Sequence, residues 1–409
     1  MPRILLIAAT TGYQTQAFVE ASERMGFELA LATDRCHVLD DPWGDAAIAV
    51  RFEDPESAVE RLAEEAVDGI VALGDRAAWL GALVSERLGL PGNPPHAVLA
   101  CRNKFLARER LHAAGLPVPE FSLVALDGDA EAAARGALYP CVLKPLGLSA
   151  SRGVIRADNQ SEFAAAFARI RALLDRPEIR RLRDAEDRFV QVERFIPGRE
   201  FALEGILTHG ALRVLAVFDK PDPLDGPFFE ETIYLTPSRE SAEVQHSLIQ
   251  ATERAIAALG LRHGPVHAEM RWTPDGVWML EVAARPIGGL CARVLPGLEE
   301  LILKHAAGLG VGEGSMDLGA AAAGVMMIPI PRQGVYAGVE GLEAARSVGG
   351  VDDVTITAKE GQLLEPLPEG SSYLGFIFAR GRDSQFVDSA LREAHALLHF
   401  ELATALLVV

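Results

Sequence analysis

Two acidic residues interrupt two apolar stretches in the second half of the sequence. Glu269 lies in VHAEMRW and Glu281 in MLEVAA, and the turn sequence TPDG lies between the two stretches. If the stretches pair as an antiparallel hairpin, the two carboxylates come close, and burial would force each to be protonated or neutralised. Carboxylate oxygens are ligands that Mg²⁺ accepts, so the pair predicts a metal site. The alternative is that both acids face solvent on an edge hairpin.

Two further side chains near these acids can take part in chemistry. Arg285 follows Glu281 by four residues, in EVAARPIGG, and can either pair with that acid or bind an anionic substrate bidentately. His267 precedes Glu269 by two residues, so it can face the same cleft as a base. A histidine whose ring is satisfied within the core is the more frequent outcome for such a residue.

A candidate phosphate site lies earlier in the chain. Lys144 ends the apolar run YPCVLKP, and the small-residue loop GLSASRGV follows it. Backbone N–H groups in such a loop can surround anionic oxygens, and Ser149, Ser151 and Arg152 can add donors. The alternative is a flexible surface loop beside a lysine whose aliphatic stem lies along apolar surface.

The first 95 residues alternate strand-like and helix-like segments. RILLIAA, ELALAT, AIAVRF and VDGIVAL are short apolar runs, and helical spacing appears in QTQAFVEASERMG and in the stretch that ends near Leu88. This alternation predicts parallel βαβ units. The turn after the first run, TTGYQ, lacks the GxGxxG pattern of dinucleotide-binding proteins. The breaker PGNPP at 91–95 marks the end of this domain.

The rest of the chain mixes strands, helices and one long loop. Helical signals cover 160–175 and 242–259, and RFVQVERFIPGREFALEGIL is typical of two strands with a connection. The loop-rich segment 219–238 has the length of a functional lid, whereas RPEIRRLRD at 176–184 is typical of a solvated charged segment. After residue 311 the sequence predicts short strands, and one helix in DSQFVDSALREAHALL.

Composition excludes several classes of partner. The 57 acidic and 39 basic residues give a net charge of −18, which argues against binding to nucleic acid or to an anionic membrane surface. We expect neither a signal peptide nor a membrane span. Four cysteines, Cys36, Cys101, Cys141 and Cys291, lack metal-site spacing and suggest no disulfide framework. We therefore expect a soluble, cytoplasmic protein.

The order of these features resembles the ATP-grasp superfamily. The resemblance rests on Lys104, Lys144, the SASRG loop, the stretch VERFIPGRE and the two acids, in this order. It implies an α/β and α+β fold. An N-terminal parallel βαβ (pre-ATP-grasp, Rossmann-like) domain would cover 1–95. A two-lobed ATP-grasp domain would cover 96–310, with lobes at about 96–190 and 191–310, and a small C-terminal α+β domain would cover 311–409.

The resemblance also assigns ligands to residues. It implies that ATP is bound by Lys104, Lys144, Ser149, Ser151, Arg152, Gly153, Glu193, Arg194, Phe195, Ile196 and Glu200. Glu193 and the backbone through Ile196 would meet the adenine, and Glu200 would accept hydrogen bonds from the ribose. Mg²⁺, or Mn²⁺ in its place, would be bound by Glu269 and Glu281.

A narrower resemblance points to the L-amino-acid ligase branch. It rests on GPFFEETIYLTPS, on EVAARPIGG and on the C-terminal stretch EGQLLEPLPEGSSYLGFIFARG. It implies that the substrate meets Glu231, Tyr234, His267, Arg285, Gly288 and Gly289. Tyr234 stands where members of this branch often have histidine, and Ala283 stands where relatives commonly have a metal-binding asparagine.

The implied chemistry is a ligation with two small-molecule substrates. A carboxylate, first of all that of an amino acid, would attack the γ-phosphate of ATP, and an amine would then displace phosphate to give a dipeptide or amide. Lys144 and Arg285 would act in catalysis. Two alternatives stay open, namely another ATP-grasp reaction (carboxylation or a purine-pathway type of ligation) and a non-catalytic nucleotide-binding regulatory protein, which Ala283 favours. Assembly as a homodimer is compatible with all of them.

Overall fold

The computed structural model describes residues 1–8, 13–34, 47–182 and 184–404. The strands are β1 (Arg3–Ala8), β2 (Glu28–Thr33), β3 (Ile48–Ala49), β4 (Gly69–Leu73), β5 (Phe121–Ala125), β6 (Cys141–Pro145), β7 (Ile155–Ala157), β8 (Phe189–Arg194), β9 (Arg199–Thr208), β10 (Ala211–Lys220), β11 (Ile233–Thr236), β12 (Gly264–Thr273), β13 (Gly276–Ala283), β14 (Ala322–Ile328), β15 (Gly334–Glu340), β16 (Val351–Ile356), β17 (Leu363–Leu364), β18 (Gly375–Gly381) and β19 (His399–Ala403). The helices are α1 (Tyr13–Met25), α2 (Pro55–Leu62), α3 (Asp75–Leu88), α4 (Pro95–Arg102), α5 (Lys104–Ala113), α6 (Ala130–Gly136), α7 (Gln160–Leu174), α8 (Pro177–Arg180), α9 (Ala242–Leu259), α10 (Leu298–Ala306), α11 (Leu342–Arg346) and α12 (Ser384–Ala396).

The N-terminal sheet has the order β3-β2-β1-β4, and all of its strands are parallel. Alternate residues of β1 enter different cores, because successive side chains of a strand point to opposite faces. The predicted βαβ fold is confirmed. The predicted strand at 47–52 is shorter, since Asp54 accepts a hydrogen bond from the Ser57 N–H at 3.3 Å and starts α2. The predicted TTGYQ turn lies partly outside the described residues.

A four-stranded antiparallel sheet, ordered β5-β8-β6-β7, forms the first lobe that follows. Helix α7 covers it with an apolar stripe that includes Phe163, Phe167 and Ile170. The side chain of Asn159 caps this helix by accepting a hydrogen bond from the Glu162 N–H at 3.0 Å. The charged stretch after α7 is mostly exposed, as predicted; it includes the short helix α8, which buries Ile179.

The largest sheet has eight strands in the order β13-β12-β9-β10-β11-β14-β18-β16. Strands β12 and β13 form the predicted antiparallel hairpin. The sheet continues past residue 310, because β11 of the second lobe pairs with β14 of the C-terminal region. Helix α9 packs mainly on β13 and β12, and α12 packs on β14 and β18. A separate three-stranded sheet, β17-β15-β19, completes the C-terminal region.

Three of the four cysteines lie in the described part of the chain. Cys101, Cys141 and Cys291 are buried and unpaired, whereas Cys36 lies outside the described residues. Across the part of the chain that the structure describes, we find no helix with the length and apolar character needed to cross a membrane.

Three histidines pack together where β9 turns into β10. The rings of His263 and His305 stack with their centroids 4.1 Å apart, and the ring of His209 lies 5.8 Å from that of His263. The Thr208 hydroxyl is 2.9 Å from Nε2 of His305. Burial, followed by the neighbouring imidazoles, lowers the pKa of His305 to about 4. In the folded protein this ring therefore stays neutral at pH values where a free histidine is charged.

This stack predicts a loss of stability in acid. An unfolded histidine titrates near pH 6.5, so between pH 6.5 and about 4 the unfolded chain binds more protons and the folded state loses stability as pH falls. We expect His305→Asn to reduce the loss of unfolding free energy between pH 7 and pH 5 by about 1 kcal/mol. Urea unfolding at both pH values measures this difference. His246→Asn, at an exposed position of α9, is the control and should keep the wild-type dependence. An unchanged pH dependence for His305→Asn would contradict the prediction.

Candidate active site

One cavity of about 530 Å³ receives residues from all three regions of the chain. The residues predicted from the sequence that line it are Lys104, Lys144, Ser149, Ser151, Glu193, Arg194, Phe195, Ile196, Glu200, Glu231, Tyr234, His267, Glu269, Glu281, Arg285, Gly288 and Gly289. Arg152 and Gly153 are the two predicted site residues outside this lining. A more open cleft of about 820 Å³ lies along β10 and residues 312–321. It gathers few charged groups, so the chemistry belongs to the first cavity.

The carboxylate of Glu193, 3% exposed, holds two cations inside the protein. Lys144 Nζ lies 2.5 Å from its Oε2, and Arg108 Nε lies 2.6 Å from its Oε1. Register brings the lysine and the acid together, because Lys144 on β6 pairs with Gln191 on β8, two residues before Glu193. Burial alone would raise the pKa of Glu193, but Arg108 and Lys144 outweigh it and lower this pKa to about 2. Arg108 was not predicted from the sequence; its helical context gives no sign that it is buried.

The small-residue loop at 147–154 is ordered by contacts on both of its sides. Lys104 Nζ donates to the Leu148 carbonyl oxygen at 2.5 Å, and Ala150 and Ser151 adopt positive φ angles of 55° and 53°. Ser149 and Ser151 line the cavity. Arg152 points the other way and donates through Nε to the Glu369 carbonyl oxygen at 2.8 Å. The loop is therefore positioned from outside the cavity by residues of the C-terminal region.

The stretch between β8 and β9 connects the two lobes. The ring of Phe195 packs between the guanidinium groups of Arg156 and Arg271, whose Cζ atoms lie 4.3 and 5.1 Å from its centroid. The Ile196 carbonyl oxygen accepts a hydrogen bond from Arg271 Nη1 at 2.6 Å. Arg271 thereby fixes the backbone that the sequence assigned to the adenine.

Three carboxylates converge on one lysine in the second lobe. Oxygens of Glu200, Glu231 and Glu269 lie within 4.8 Å of one another. Lys220 Nζ lies 2.8 Å from Glu200 and 3.5 Å from Glu269, and it also pairs with Glu231. Although burial works in the opposite direction, these acids raise the pKa of Lys220 well above its usual value, so the lysine stays charged.

Two of these acids have further partners. Glu200, predicted as the ribose acceptor, also accepts from Arg271 Nε at 3.0 Å. Glu231 accepts from the Tyr234 hydroxyl at 3.0 Å, so Tyr234 supplies a hydrogen-bond donor at this wall. Lys220 was missed by the sequence reasoning. A lysine that ends the apolar run VLAVFDK was the available signal.

The two predicted metal-binding acids face each other across the hairpin. Glu269 on β12 is the direct register partner of Glu281 on β13, next to an irregularity in the pairing. His267 donates or accepts at both ring nitrogens, with Nε2 3.3 Å from Glu269 and Nδ1 3.1 Å from Glu204. Burial would lower the pKa of His267, but these two carboxylates raise it to about 9. A charged His267 therefore orients Glu269. Its ring lines the cavity, and both of its nitrogens have carboxylate partners.

Arg285 reaches from the hairpin to the N-terminal domain. Its Nε donates to Asp75 Oδ1 at 2.9 Å, and its Nη1 donates to the Pro286 carbonyl oxygen at 3.1 Å. Asp75 begins α3 directly after β4, where the carboxyl end of a parallel strand opens toward ligands. Gln14 of α1 also reaches this region and donates to the Ile287 carbonyl oxygen at 2.9 Å. Asp75 was missed by the sequence reasoning, although the GD pair after a predicted strand was a visible signal.

The C-terminal region also contributes side chains to the cavity. Met327, Tyr373 and Phe376 line the cavity beside Gly288 and Gly289, and Ser371 and Ser372 lie at its rim. Sequence reasoning identified none of the five C-terminal residues as part of the site. The cavity thus has a charged end near the lysines and the loop, and a largely apolar end against the C-terminal region.

This fold and cavity define a class of protein. Residues 137–294 match the model of the ATP-grasp domain, and a D-alanine–D-alanine ligase of Geotalea uraniireducens is 30% identical over 281 residues, 66% of this chain and 82% of that protein. The chain belongs to the ATP-grasp family. Residues 326–403 match L-amino acid ligase C-terminal domain 2, so the chain combines the ATP-grasp domain with a terminal domain of the L-amino acid ligases.

Two further comparisons show how far the similarity extends. The crystal structure of an L-amino acid ligase from Bacillus licheniformis has a TM-score of 0.81 and 26% identity, and the match covers 99% of both chains. A carnosine synthase of Gallus gallus is 31% identical over 237 residues, which is 55% of this chain and 25% of that protein. The chain spans between 25% and 63% of the length of the first curated relatives that it matches.

The buried network around Glu193 generates a prediction for stability. Glu193→Gln leaves the charges of Lys144 and Arg108 without a counter-ion, so we expect it to lower the free energy of unfolding by roughly 3–5 kcal/mol. Glu131→Gln is the control. It removes an exposed carboxylate 3.7 Å from Arg135, and should change the free energy by no more than about 0.5 kcal/mol. Denaturant unfolding measures both variants, and near-wild-type stability of Glu193→Gln would refute the role given to this ion pair.

Proposed function

We propose that this chain is an ATP-dependent carboxylate–amine ligase that activates a carboxylate as an acyl phosphate and joins it to an amine. An amino acid is the first candidate for the carboxylate, and the products are a dipeptide or amide, ADP and phosphate. The observation that carries the proposal is that one cavity gathers the lysines and loop, the pair Glu269 and Glu281, and Arg285. Relatives whose names record the ligation of amino acids support it.

The charged end of the cavity suits a nucleoside triphosphate. Lys104, Lys144 and the donors of the 147–154 loop can neutralise phosphate oxygens, while the backbone after β8 borders the base. Glu193 acts here through its partner, since its carboxylate holds Lys144 in place. Glu200 lies beside Lys220 at the same end, within reach of a sugar.

The hairpin acids fit a divalent cation. Glu269 and Glu281 are register partners that both line the cavity, and carboxylate oxygens are the donors that Mg²⁺ and Mn²⁺ prefer. Ala283 contributes no ligand, and His267 orients Glu269 from behind. When bound, the ion would neutralise charge on the nucleotide phosphates.

The reaction needs two successive displacements. A carboxylate oxygen of the first substrate bonds to the γ-phosphorus, and the bond between that phosphorus and the ADP oxygen breaks. The amine nitrogen then bonds to the acyl carbon, and the carbon–oxygen bond to phosphate breaks as phosphate and a proton are released. Arg285, held by Asp75, binds the carboxylate and later the acyl-phosphate oxygens, and Lys144 stabilises charge on the transferred phosphoryl group.

The apolar end of the cavity favours one type of carboxylate substrate. Met327, Tyr373 and Phe376 offer no charge to a substrate side chain placed beyond Arg285. An amino acid with an uncharged, apolar side chain therefore fits this wall better than an acidic or basic one, because burial of an unpaired charge is costly.

A second candidate function, a nucleotide-binding protein without turnover, is favoured by one observation. Ala283 is buried at the end of β13 and offers no oxygen to a metal. Another ATP-grasp reaction, such as carboxylation, would use the same nucleotide end of the cavity. A matrix of amino acids and other carboxylic acids against amines distinguishes these functions when phosphate release and product mass are both recorded. Nucleotide binding without product across the matrix would reject the ligase proposal.

The acid pair predicts a specific loss of activity. Glu281→Gln removes a charged ligand from the hairpin, and we expect kcat/KM to fall by about 100-fold or more, because metal-assisted charge neutralisation contributes several kcal/mol. Glu253→Gln, at an exposed position of α9, is the control and should keep full activity. ADP formation in the presence of both substrates is the measurement. Full activity of Glu281→Gln would overturn the metal assignment.

A further inference from the structure

Segment 365–370 lies between β17 and β18 in the C-terminal region. It forms ion pairs with the first lobe. Nη1 and Nη2 of Arg176 lie 2.7 and 3.2 Å from the two oxygens of Glu365. Arg169, one turn before the end of α7, pairs in the same bidentate way with Glu369, with Nη2 2.7 Å from Oε2. Two acids of one short segment thus pair with two arginines of the first lobe. This lobe also carries the small-residue loop at 147–154, hereafter the phosphate loop.

The same segment also contacts the backbone of the phosphate loop. The Gly153 N–H donates to the Pro368 carbonyl oxygen at 2.8 Å, and Arg152 donates to the Glu369 carbonyl oxygen at the same distance. Gly153 has a φ of 74°, and a Cβ there would lie 2.6 Å from the Pro145 ring. The loop therefore turns back at this glycine, where the C-terminal segment holds it.

The residues that follow the segment line the cavity. Ser371, Ser372 and Tyr373 come directly after Gly370 and line the cavity, the two serines at exposed positions of its rim. Gly370 donates to the Pro366 carbonyl oxygen at 2.9 Å, so the segment folds back on itself as one tight unit. Segment 365–370 thus contacts the phosphate loop, and the residues that follow it line the cavity.

These ion pairs are weak enough to allow the phosphate loop to close and reopen. The four charged side chains are between 22% and 45% exposed, and such pairs are individually weak because water and salt screen them. Several acting together on one short loop can still select one loop position. The lobe is also held by backbone contacts to 225–227, such as Arg156 N–H to the Pro227 carbonyl oxygen at 2.9 Å.

We infer that Glu365 and Glu369 are positioning residues that hold the phosphate loop closed over the cavity. Because Ser371–Tyr373 continues from the same segment, a substrate seated against these residues favours the closed loop, and a closed loop favours the substrate. The C-terminal region thus couples occupation of the apolar end of the cavity to nucleotide binding. The second part of this inference rests on the proposed ligase function; the first part needs only nucleotide binding.

The test compares single variants with a charge exchange. In Glu369→Gln and in Arg169→Glu we expect the affinity for a non-hydrolysable ATP analogue to fall by about tenfold, with faster hydrogen exchange at the Gly153 amide. The exchanged pair Arg169→Glu with Glu369→Arg should recover at least half of the lost affinity. Glu365→Gln provides a second variant, in which we expect the same two changes. Calorimetry and hydrogen-exchange mass spectrometry are the measurements.

The control lies on the same side of the lobe. Asp175→Asn breaks the exposed pair in which Arg180 Nη1 lies 3.2 Å from Asp175; among the described residues, no hydrogen bond or ion pair joins these two side chains to segment 365–370. It should leave nucleotide affinity and exchange at Gly153 unchanged. In the ligation assay, the Glu369 variant should raise KM for ATP with little change in kcat and should release more ADP for each product formed.

Three outcomes would overturn the inference. These are unchanged analogue affinity and exchange in the Glu369 and Glu365 variants, an equal loss in Asp175→Asn, or no recovery in the exchanged pair. If no acid and amine are joined by the wild type, the ligase proposal fails, while analogue affinity and exchange still decide whether the segment positions the loop.

Discussion

Buried cations pair with most of the carboxylates in this cavity, and the rest of the site depends on this pairing. Lys220 balances three acids in the second lobe, and Glu193 is held between Lys144 and Arg108. Without these cations, burial would protonate the acids or open the structure to water. Strand register brings these charges together within each sheet, because β6 pairs with β8 in the first lobe, and β10 and β12 both pair with β9 in the second. The electrostatics of the site thus depend on the register of each lobe.

The net charge of −18 fits this arrangement. Lys104, Lys144 and Arg285 line one cavity, where they can contact an anionic ligand directly, and distant surface acids are screened by salt. The global charge argues against a polyanionic partner with a large footprint. It says little about a small anion that enters a cleft between lobes.

Sequence reasoning predicted the parts of this protein that depend on local pattern. The βαβ start, the hairpin that pairs Glu269 with Glu281, and the helix at 242–259 follow from periodicity and turn residues. Arg108 and Asp75 could not be found in this way, because their roles arise from partners 85 and 210 residues away in the chain. The five C-terminal cavity residues were missed for the same reason, since β14 and β18 extend a sheet that begins in another region.

The neighbours of Ala283 change what its lack of a metal-binding oxygen implies about turnover. Its register partner on β12 is His267, and the charged ring of that histidine spans Glu204 and Glu269. The orientation of Glu269 is therefore fixed by a buried histidine and a second acid, and residue 283 does not have to supply it. An asparagine would add one oxygen to a metal, but its absence leaves the two facing carboxylates in place. Under the proposed metal assignment, Ala283 would lower metal affinity, while Glu269, Glu281 and Arg285 still line one cavity. For this reason the lost side chain is weak support for a protein without turnover, and the retained acid pair is stronger support for an enzyme.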